Sequence, residues 1–290
     1  MKLSLETYGV MSNFGDFEGL ELIKKAGFDC VDMSYYWQEE GSALLGEGYR
    51  EYALQLRSYL DELGLTCTQA HAPFDVKYGE EFDLSNPHYL AVARAIESAS
   101  ILGARAIVVH TIGYKKDSRI YFDRAYNIAY YKSLLPLCEK FNINVAVENL
   151  CDFDDKRKHP RGRLGTPSEL CDFIRELDSP YFVACVDVGH AAMSGNEPEE
   201  FLAGMDAALL QALHIQDGNY REDSHTVPYL GAFNWTEIMK TLKKIGYEGE
   251  LTFEIVKYLR GIPKELTFDA LCFAEKIGRH LISVFDNEKI

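Results

Sequence analysis

Acidic and imidazole side chains recur at one kind of place in this 290-residue sequence, the carboxyl ends of short apolar runs. In chain order these residues are His71, His110, Glu148, Asp187, His214 and Glu254, with His190 three positions after Asp187 and His225 in the segment that follows His214. Carboxylates and imidazoles are the side chains that bind divalent cations and transfer protons near neutral pH. The pattern indicates a metal site with acid–base chemistry.

Three of these residues are carboxylates that would be buried close together. Glu148, Asp187 and Glu254 would repel one another strongly in a low-dielectric site without a counter-charge. A divalent cation removes the repulsion, and His214 adds a nitrogen donor. We therefore predict one divalent ion (Mn²⁺, Zn²⁺ or Mg²⁺) bound by Glu148, Asp187, His214 and Glu254. Any one of the four alone is more often a salt-bridge partner or a hydrogen-bonded core residue, so the prediction depends on the whole set.

Eight apolar runs alternate with longer amphipathic segments along the chain. The runs are KLSLETY, FDCVDMS, LTCTQAH, ARAIVVHT, INVAVENL, FVACVDVGH, LLQALHI and GELTFEIV. Helices are predicted near residues 17–26, 49–63, 87–102, 121–140, 167–178, 198–206, 234–245 and 264–285. Thr166, Pro167 and Glu169 have the spacing of a helix start, and glycines that end helices stand at Gly27, Gly64, Gly103 and Gly246.

Strict alternation of strands and helices predicts a parallel sheet with right-handed crossovers. Eight such units in this length favour a single (β/α)₈ TIM barrel over residues 1–290. The main alternative is an open doubly wound sheet, which is disfavoured because no G-x-G-x-x-G turn follows the first run. In a barrel the carboxyl ends of the strands share one face, so the polar residues at the run ends would meet there.

Several motifs resemble those of the xylose isomerase-like barrel superfamily. They are VENL at residues 147–150, VDVGH at 186–190, HIQD at 214–217, H-x-V-P-x-L-G from His225, and FEI at 253–255. The superfamily includes sugar phosphate isomerases and epimerases, ketose 3-epimerases, inosose isomerases and dehydratases, and endonuclease IV. The resemblance implies that Glu148, Asp187, His214 and Glu254 are the shared metal ligands and that His190 contacts substrate.

The resemblance also implies a reaction. In the epimerases of this group the two metal-binding glutamates act as the acid–base pair on opposite faces of the sugar, so Glu148 and Glu254 are the predicted catalytic residues. The predicted function is isomerisation or epimerisation of a sugar, sugar phosphate or cyclitol ketone by proton abstraction next to a carbonyl, through an enediolate. An inosose dehydratase-type lyase is an alternative. Ketose 3-epimerases have an Arg six residues after the metal His, where this chain has Tyr220 followed by Arg221.

Further predicted substrate contacts are His71, His110, His225, Trp37 and Arg163. Tyr8, Phe14, Trp37 and Phe74 follow the first three runs and are predicted to form an apolar wall of the pocket. Arg163 ends a basic stretch, KRKHPRGR at residues 156–163, which is interpreted either as a solvated loop or as a lid over an anionic or phosphorylated substrate.

An endonuclease IV-like zinc phosphodiesterase acting on abasic DNA is the second reading of the same residues. The resemblance supplies a counterpart for every ligand of its three zinc ions: His71, His110, Glu148, Asp187, His190, His214, Asp223, His225 and Glu254. The formal charge of −15 opposes this reading because a DNA-binding surface needs many Lys and Arg residues. One basic stretch is sufficient for a small phosphate but not for a duplex.

Composition limits the remaining possibilities. The seven cysteines are scattered, with no C-x-x-C, which indicates free thiols and not a disulfide framework. We expect no signal peptide and no membrane span, and a cytoplasmic protein whose partner is a small carbohydrate. Nucleic acid is disfavoured as a partner, and the sequence leaves homo-oligomerisation open.

Overall fold

Eight parallel strands form a nearly closed barrel in the computed structural model, which describes residues 1–36, 42–43, 45–116, 119–151 and 162–288. The strands of the chain are β1 (Leu3–Glu6), β2 (Cys30–Ser34), β3 (Thr66–His71), β4 (Ala106–Val109), β5 (Gly113–Lys116), β6 (Arg119–Phe122), β7 (Asn144–Glu148), β8 (Phe182–Asp187), β9 (Leu210–His214) and β10 (Leu251–Phe253). Their order in the barrel is β10-β1-β2-β3-β4-β7-β8-β9, and a bridge between Ile215 and Phe253 joins its two ends. The predicted (β/α)₈ barrel is confirmed.

Helices lie between the barrel strands and cover their outer faces. They are α1 (Tyr8–Phe14), α2 (Asp16–Ala26), α3 (Tyr49–Leu63), α4 (Pro87–Leu102), α5 (Arg124–Phe141), α6 (Pro167–Leu177), α7 (Val188–Met193), α8 (Pro198–Ala203), α9 (Trp235–Lys244), α10 (Val256–Arg260) and α11 (Thr267–Asn287), with a 3₁₀ turn at Lys264–Leu266. The predicted start of α6 is confirmed, since Thr166 and Glu169 form a capping box. Within the described residues, no helix is long and apolar enough to cross a membrane.

Local polar contacts shift two predicted helix starts. The helix predicted from residue 121 begins at Arg124, because residues 119–122 instead pair with β5 in an antiparallel hairpin, and Asp123 caps the helix by accepting a hydrogen bond from the Tyr126 amide. The helix predicted from residue 264 begins at Thr267 after the 3₁₀ turn. The sequence reading also missed the short helices α1, α7 and α10, which directly follow β1, β8 and β10.

The barrel strands alternate between two buried environments. Outward-facing residues such as Val145, Val147 and Val186 belong to the large core between barrel and helices. Small inward-facing residues fill the barrel axis in a separate cluster, made of Ala106, Val108, Ala146, Val183, Cys185 and Ala212. This two-residue period determines which side chains at the strand ends point into the barrel mouth.

Candidate metal centre

The same alternation directs the predicted ligands inward. Glu148 is two residues after Ala146, Asp187 is two after Cys185, and His214 is two after Ala212, and all three preceding residues face the barrel axis. Strand register then makes the ends neighbours, since Asp187 pairs with His214 across β8 and β9. Glu254 directly follows β10, and its amide donates to the carbonyl oxygen of Ile215.

The structure brings these four side chains together. Glu148, Asp187, His214 and Glu254 are buried, and each offers a donor atom within 4.8 Å of the others. His214 Nδ1 faces both glutamates, 2.9 Å from Glu148 Oε1 and 3.4 Å from Glu254 Oε2. The sequence predicted these four as ligands, and they form a cluster of metal-ligand geometry and chemistry.

Two hydrogen bonds hold Asp187 in the cluster. One carboxylate oxygen accepts the His190 amide at the start of α7 (2.6 Å), and the other accepts from the Gln216 side chain (3.0 Å). Burial raises the pKa of Asp187 to about 7; His190 opposes the shift, while the carboxylates of Glu254 and Glu148 add to it. The neighbouring carboxylates therefore add to the effect of burial at this position.

Three further residues, from β1, from β2 and from just after β2, surround the Glu254 and His214 side chains. The Tyr36 hydroxyl donates a short hydrogen bond to Glu254 Oε1. Asp32 Oδ2 is 3.1 Å from His214 Nε2 and also accepts from the Gln69 side chain. Glu6 is buried nearby, and burial together with the charge of Glu254 raises its pKa to about 8. Tyr36, Asp32 and Glu6 were not predicted from the sequence.

Two of the predicted substrate histidines lie near Oε2 of Glu148, the carboxylate oxygen that is not next to His214 Nδ1. Nε2 of His110 is 2.7 Å from Glu148 Oε2, and Nε2 of His71 is 3.7 Å from the same oxygen. The two imidazole nitrogens lie 3.0 Å apart. Burial lowers the pKa of His110 to about 4 against the attraction of Glu148, which favours the neutral imidazole.

The other two predicted histidines border the cluster on the side of the loop after β9. His190 Nδ1 is 3.0 Å from the Asn149 carbonyl oxygen and 3.6 Å from Glu148 Oε1. His225 Nε2 is 2.8 Å from Asp223, and its Nδ1 is 3.6 Å from Glu254 Oε2. His190 and Asp223 also form a possible ligand group with Cys151.

The aromatic side chains that face the cluster differ in part from those predicted. The Tyr36 ring packs between His71 and Phe74, at centroid distances of 4.5 Å and 5.5 Å, and Tyr8 lies 5.8 Å from Tyr36. Phe14 instead packs under Lys264. Trp37 and residues 156–161 lie outside the described residues.

Arg163 does not join the cluster. Its guanidinium donates a short hydrogen bond to the Thr111 carbonyl oxygen, and its backbone bridges to Leu150 just after β7. The side chain lines a cavity next to His110.

Known proteins match this sequence and fold. The sequence model of the xylose isomerase-like TIM barrel family matches residues 20–274. The chain belongs to that family.

Uncharacterized protein MJ1311 of Methanocaldococcus jannaschii is 30% identical over 247 residues, which is 81% of this chain and 77% of that protein. L-ribulose-5-phosphate 3-epimerase UlaE of Escherichia coli is 26% identical over 254 residues, 82% of this chain and 81% of that protein. A crystal structure of IolI protein with a binding zinc atom has a TM-score of 0.74 at 15% identity, covering 99% of this chain and 100% of that one.

In this xylose isomerase-like barrel the donor set fits a divalent cation. Three carboxylates and one imidazole give the mixed oxygen and nitrogen donors that Mn²⁺, Zn²⁺ and Mg²⁺ accept. Glu254 Oε2 is buried and accepts no hydrogen bond from any described residue. Since buried polar atoms almost always have a partner, this oxygen is suited to coordinate an ion.

Proposed function

We propose that this protein is a metal-dependent epimerase or isomerase that moves a proton on the carbon next to the carbonyl of a sugar, sugar phosphate or cyclitol ketone. The observation that carries the proposal is that Glu148 and Glu254 both face Nδ1 of His214, within one buried cluster with Asp187. Two carboxylates that face the same small volume can serve as the acid and the base of one reaction.

The residues divide into three roles. Glu148, Asp187, His214 and Glu254 hold the ion, whose Lewis acidity makes a proton next to a carbonyl easier to remove. Glu148 and Glu254 also accept and return that proton. His190, His71, His110 and His225 border the cluster and orient the substrate hydroxyl groups by hydrogen bonds.

The relatives support this assignment. One of them is an L-ribulose-5-phosphate 3-epimerase, whose reaction inverts a carbon next to a carbonyl, and it aligns with 82% of the chain. The IolI structure holds a zinc atom. The burial of Glu148, Asp187 and Glu254 supports the same conclusion, because a divalent cation would offset the mutual repulsion of three carboxylates whose oxygens lie within 4.8 Å of one another.

A phosphodiesterase that uses several zinc ions is the second candidate. The observation that favours it is the presence of three possible ligand groups. One adds His71 to Glu148 and His214 of the central cluster, and a separate one consists of Cys151, His190 and Asp223. The net charge of −15 disfavours it, since phosphate backbones are repelled by an acidic surface.

Proton exchange in D₂O tests the proposal. The metal-loaded protein, incubated with a panel of ketoses, ketose phosphates and inososes, is expected to place deuterium on the carbon next to the carbonyl of at least one of them, as read by NMR. Glu148→Gln and Glu254→Gln, each reloaded with excess metal, are expected to abolish exchange because an amide accepts no proton at neutral pH. His190→Ala is expected to slow exchange with little change in metal content.

The matched control is Glu250→Gln. Glu250 is also buried, but it pairs with Arg105 at the other end of the barrel, and exchange should persist in this variant. Exchange that survives in both reloaded site variants would show that the glutamates bind metal but are not the acid and base. Absence of exchange with every substrate in the panel would reject the proposed reaction.

A further inference from the structure

A cavity of about 330 Å³ opens beside the metal centre, on the far side of His110. Its walls come from the loop after β3, which carries Phe74 and Lys77, from the β5–β6 hairpin, which carries Lys115, and from Arg163. The volume lies at the lower end of the range for small-molecule sites. The metal-centred function does not yet account for this space.

The cavity is basic although the protein is strongly acidic. Lys77, Lys115 and Arg163 line it, and the described lining residues include no carboxylate. The chain as a whole carries a formal charge of −15. The cavity is partly open and Lys77 and Lys115 are exposed. Three cations around one space nevertheless raise the local potential and favour a ligand that carries more than one negative charge.

Local structure fixes the position of the Arg163 guanidinium at the cavity wall. One of its nitrogens donates to the Thr111 carbonyl oxygen, and the group lies against Gly113 at the start of the hairpin. A Cβ at position 113 would come 3.1 Å from Arg163 Nη1 and 2.6 Å from Ile120 Cγ2. A side chain at position 113 would therefore force the Ile120 side chain to shift and would press against the guanidinium.

His110 links the cavity to the metal centre. Its Nε2 is 2.7 Å from Glu148 Oε2, and its ring stacks on Phe74, with centroids 5.2 Å apart and planes inclined by 13°. The same two residues line the cavity. A substrate whose reacting carbons lie at Glu148 would have to pass His110 and Phe74 to reach the three cations.

We propose that the cavity binds the phosphate of a phosphorylated sugar whose carbonyl end lies at the metal centre. This inference rests on the proposed function and narrows its substrate class to sugar phosphates. A phosphate monoester carries a charge of about −1.5 to −2 at neutral pH and three acceptor oxygens, which suits the three cations better than a carboxylate or a neutral hydroxyl group does. A nucleic-acid duplex is too large for this space.

The test compares matched pairs of substrates in the metal-loaded, full-length protein. Each pair is a ketopentose or ketohexose with and without a terminal phosphate, and kcat and KM are measured for proton exchange or epimerisation. We expect kcat/KM for the best phosphorylated ketose to exceed that for its neutral parent by about 100-fold or more, on the scale of two charge-assisted hydrogen bonds.

Variants on the hairpin distinguish a loss of phosphate binding from a general loss of activity. Lys115→Gln is expected to raise KM for the phosphorylated ketose about tenfold with little change in kcat, because it removes binding that does not depend on the reaction step. The same variant should leave the neutral ketose unaffected. Lys116→Gln is the control, since Lys116 is the next exposed residue of the same strand and does not line the cavity.

Each result has a defined meaning. Equal kcat/KM for the two members of every pair, with Lys115→Gln unchanged, would overturn the phosphate inference and leave the epimerase intact. Absence of turnover with all pairs would reject the proposed function itself, and the inference with it. If inorganic phosphate raises the Tm as much as the ketose phosphate does, while both substrates react alike, the cavity binds free phosphate and the substrate assignment is wrong.

Discussion

The imidazole Nε2 of His214 lies 3.1 Å from the carboxylate oxygen Oδ2 of Asp32, and both side chains are completely buried. Asp32 accepts a hydrogen bond from Nε2, which leaves Nδ1, the nitrogen that faces Glu148 and Glu254, as the one that would coordinate an ion. Carboxylates that fix the tautomer of a histidine in this way increase its strength as a metal ligand.

Asp32→Asn is therefore expected to weaken metal binding about 10- to 100-fold. The asparagine amide can donate to Nε2, which moves the histidine proton to Nδ1 and blocks that nitrogen as a ligand. A competition titration with a chelator measures the Kd. Asp29→Asn serves as the control, because Asp29 lies just before the same strand and is paired with Arg279. An unchanged Kd in Asp32→Asn would show that Asp32 has no such role.

Loss of a central ligand is expected to release the ion. Protein purified without chelators should contain about one divalent ion per chain, and Glu148→Gln or Asp187→Asn should lose most of it, as measured by elemental analysis. Added Mn²⁺ or Zn²⁺ should raise the Tm of the native protein because the ion binds only the folded state. Glu250→Gln should keep its metal. A native protein with no metal and no Tm response would contradict the site assignment.

Phosphodiesterase activity is expected to be absent. A duplex with one abasic site, incubated with the zinc-loaded protein, should be incised no faster than in the presence of buffer alone, because the acidic surface repels the DNA backbone. Gel electrophoresis of end-labelled DNA measures the rate. Clear incision that disappears in Glu148→Gln would promote the phosphodiesterase function over the epimerase.

Asp217→Ala is expected to destabilise the fold by about 3 kcal/mol. Asp217 is completely buried and accepts hydrogen bonds from the amides of Gly218 and Tyr229 and from Trp235 Nε1, at 2.7–2.8 Å. Its removal leaves these donors without a partner and loosens the loop that carries Asp223 and His225. Urea unfolding measures the change, with the exposed Asp61→Ala as control. A loss below about 1 kcal/mol would show that water replaces the carboxylate.

Much of the fold and the central cluster was predictable because the signals are local. Alternation of strands and helices identifies the barrel, and the two-residue period of VAVE and VACVD directs Glu148 and Asp187 to the inner face. All strands of such a barrel end at the same face, so the residues at their ends were expected to meet. The catalytic roles of Glu148 and Glu254 and the substrate contacts remain predictions, including Trp37, which lies outside the described residues.

Other parts of the site depend on contacts between distant segments. Asp32 lies within β2 and not at its end, and its partner His214 is 182 positions away. The strand register shifts between Val31 and Asp32, an irregularity that no local pattern announces. The cavity likewise requires the hairpin and Arg163 to converge on His110.

The sequence by itself determined the barrel and the direction of its strand-end side chains, because both follow from local periodicity. Tertiary structure alone decided which side chains support His214 and where the cations gather, because these depend on register and on how the loops fold over the barrel mouth.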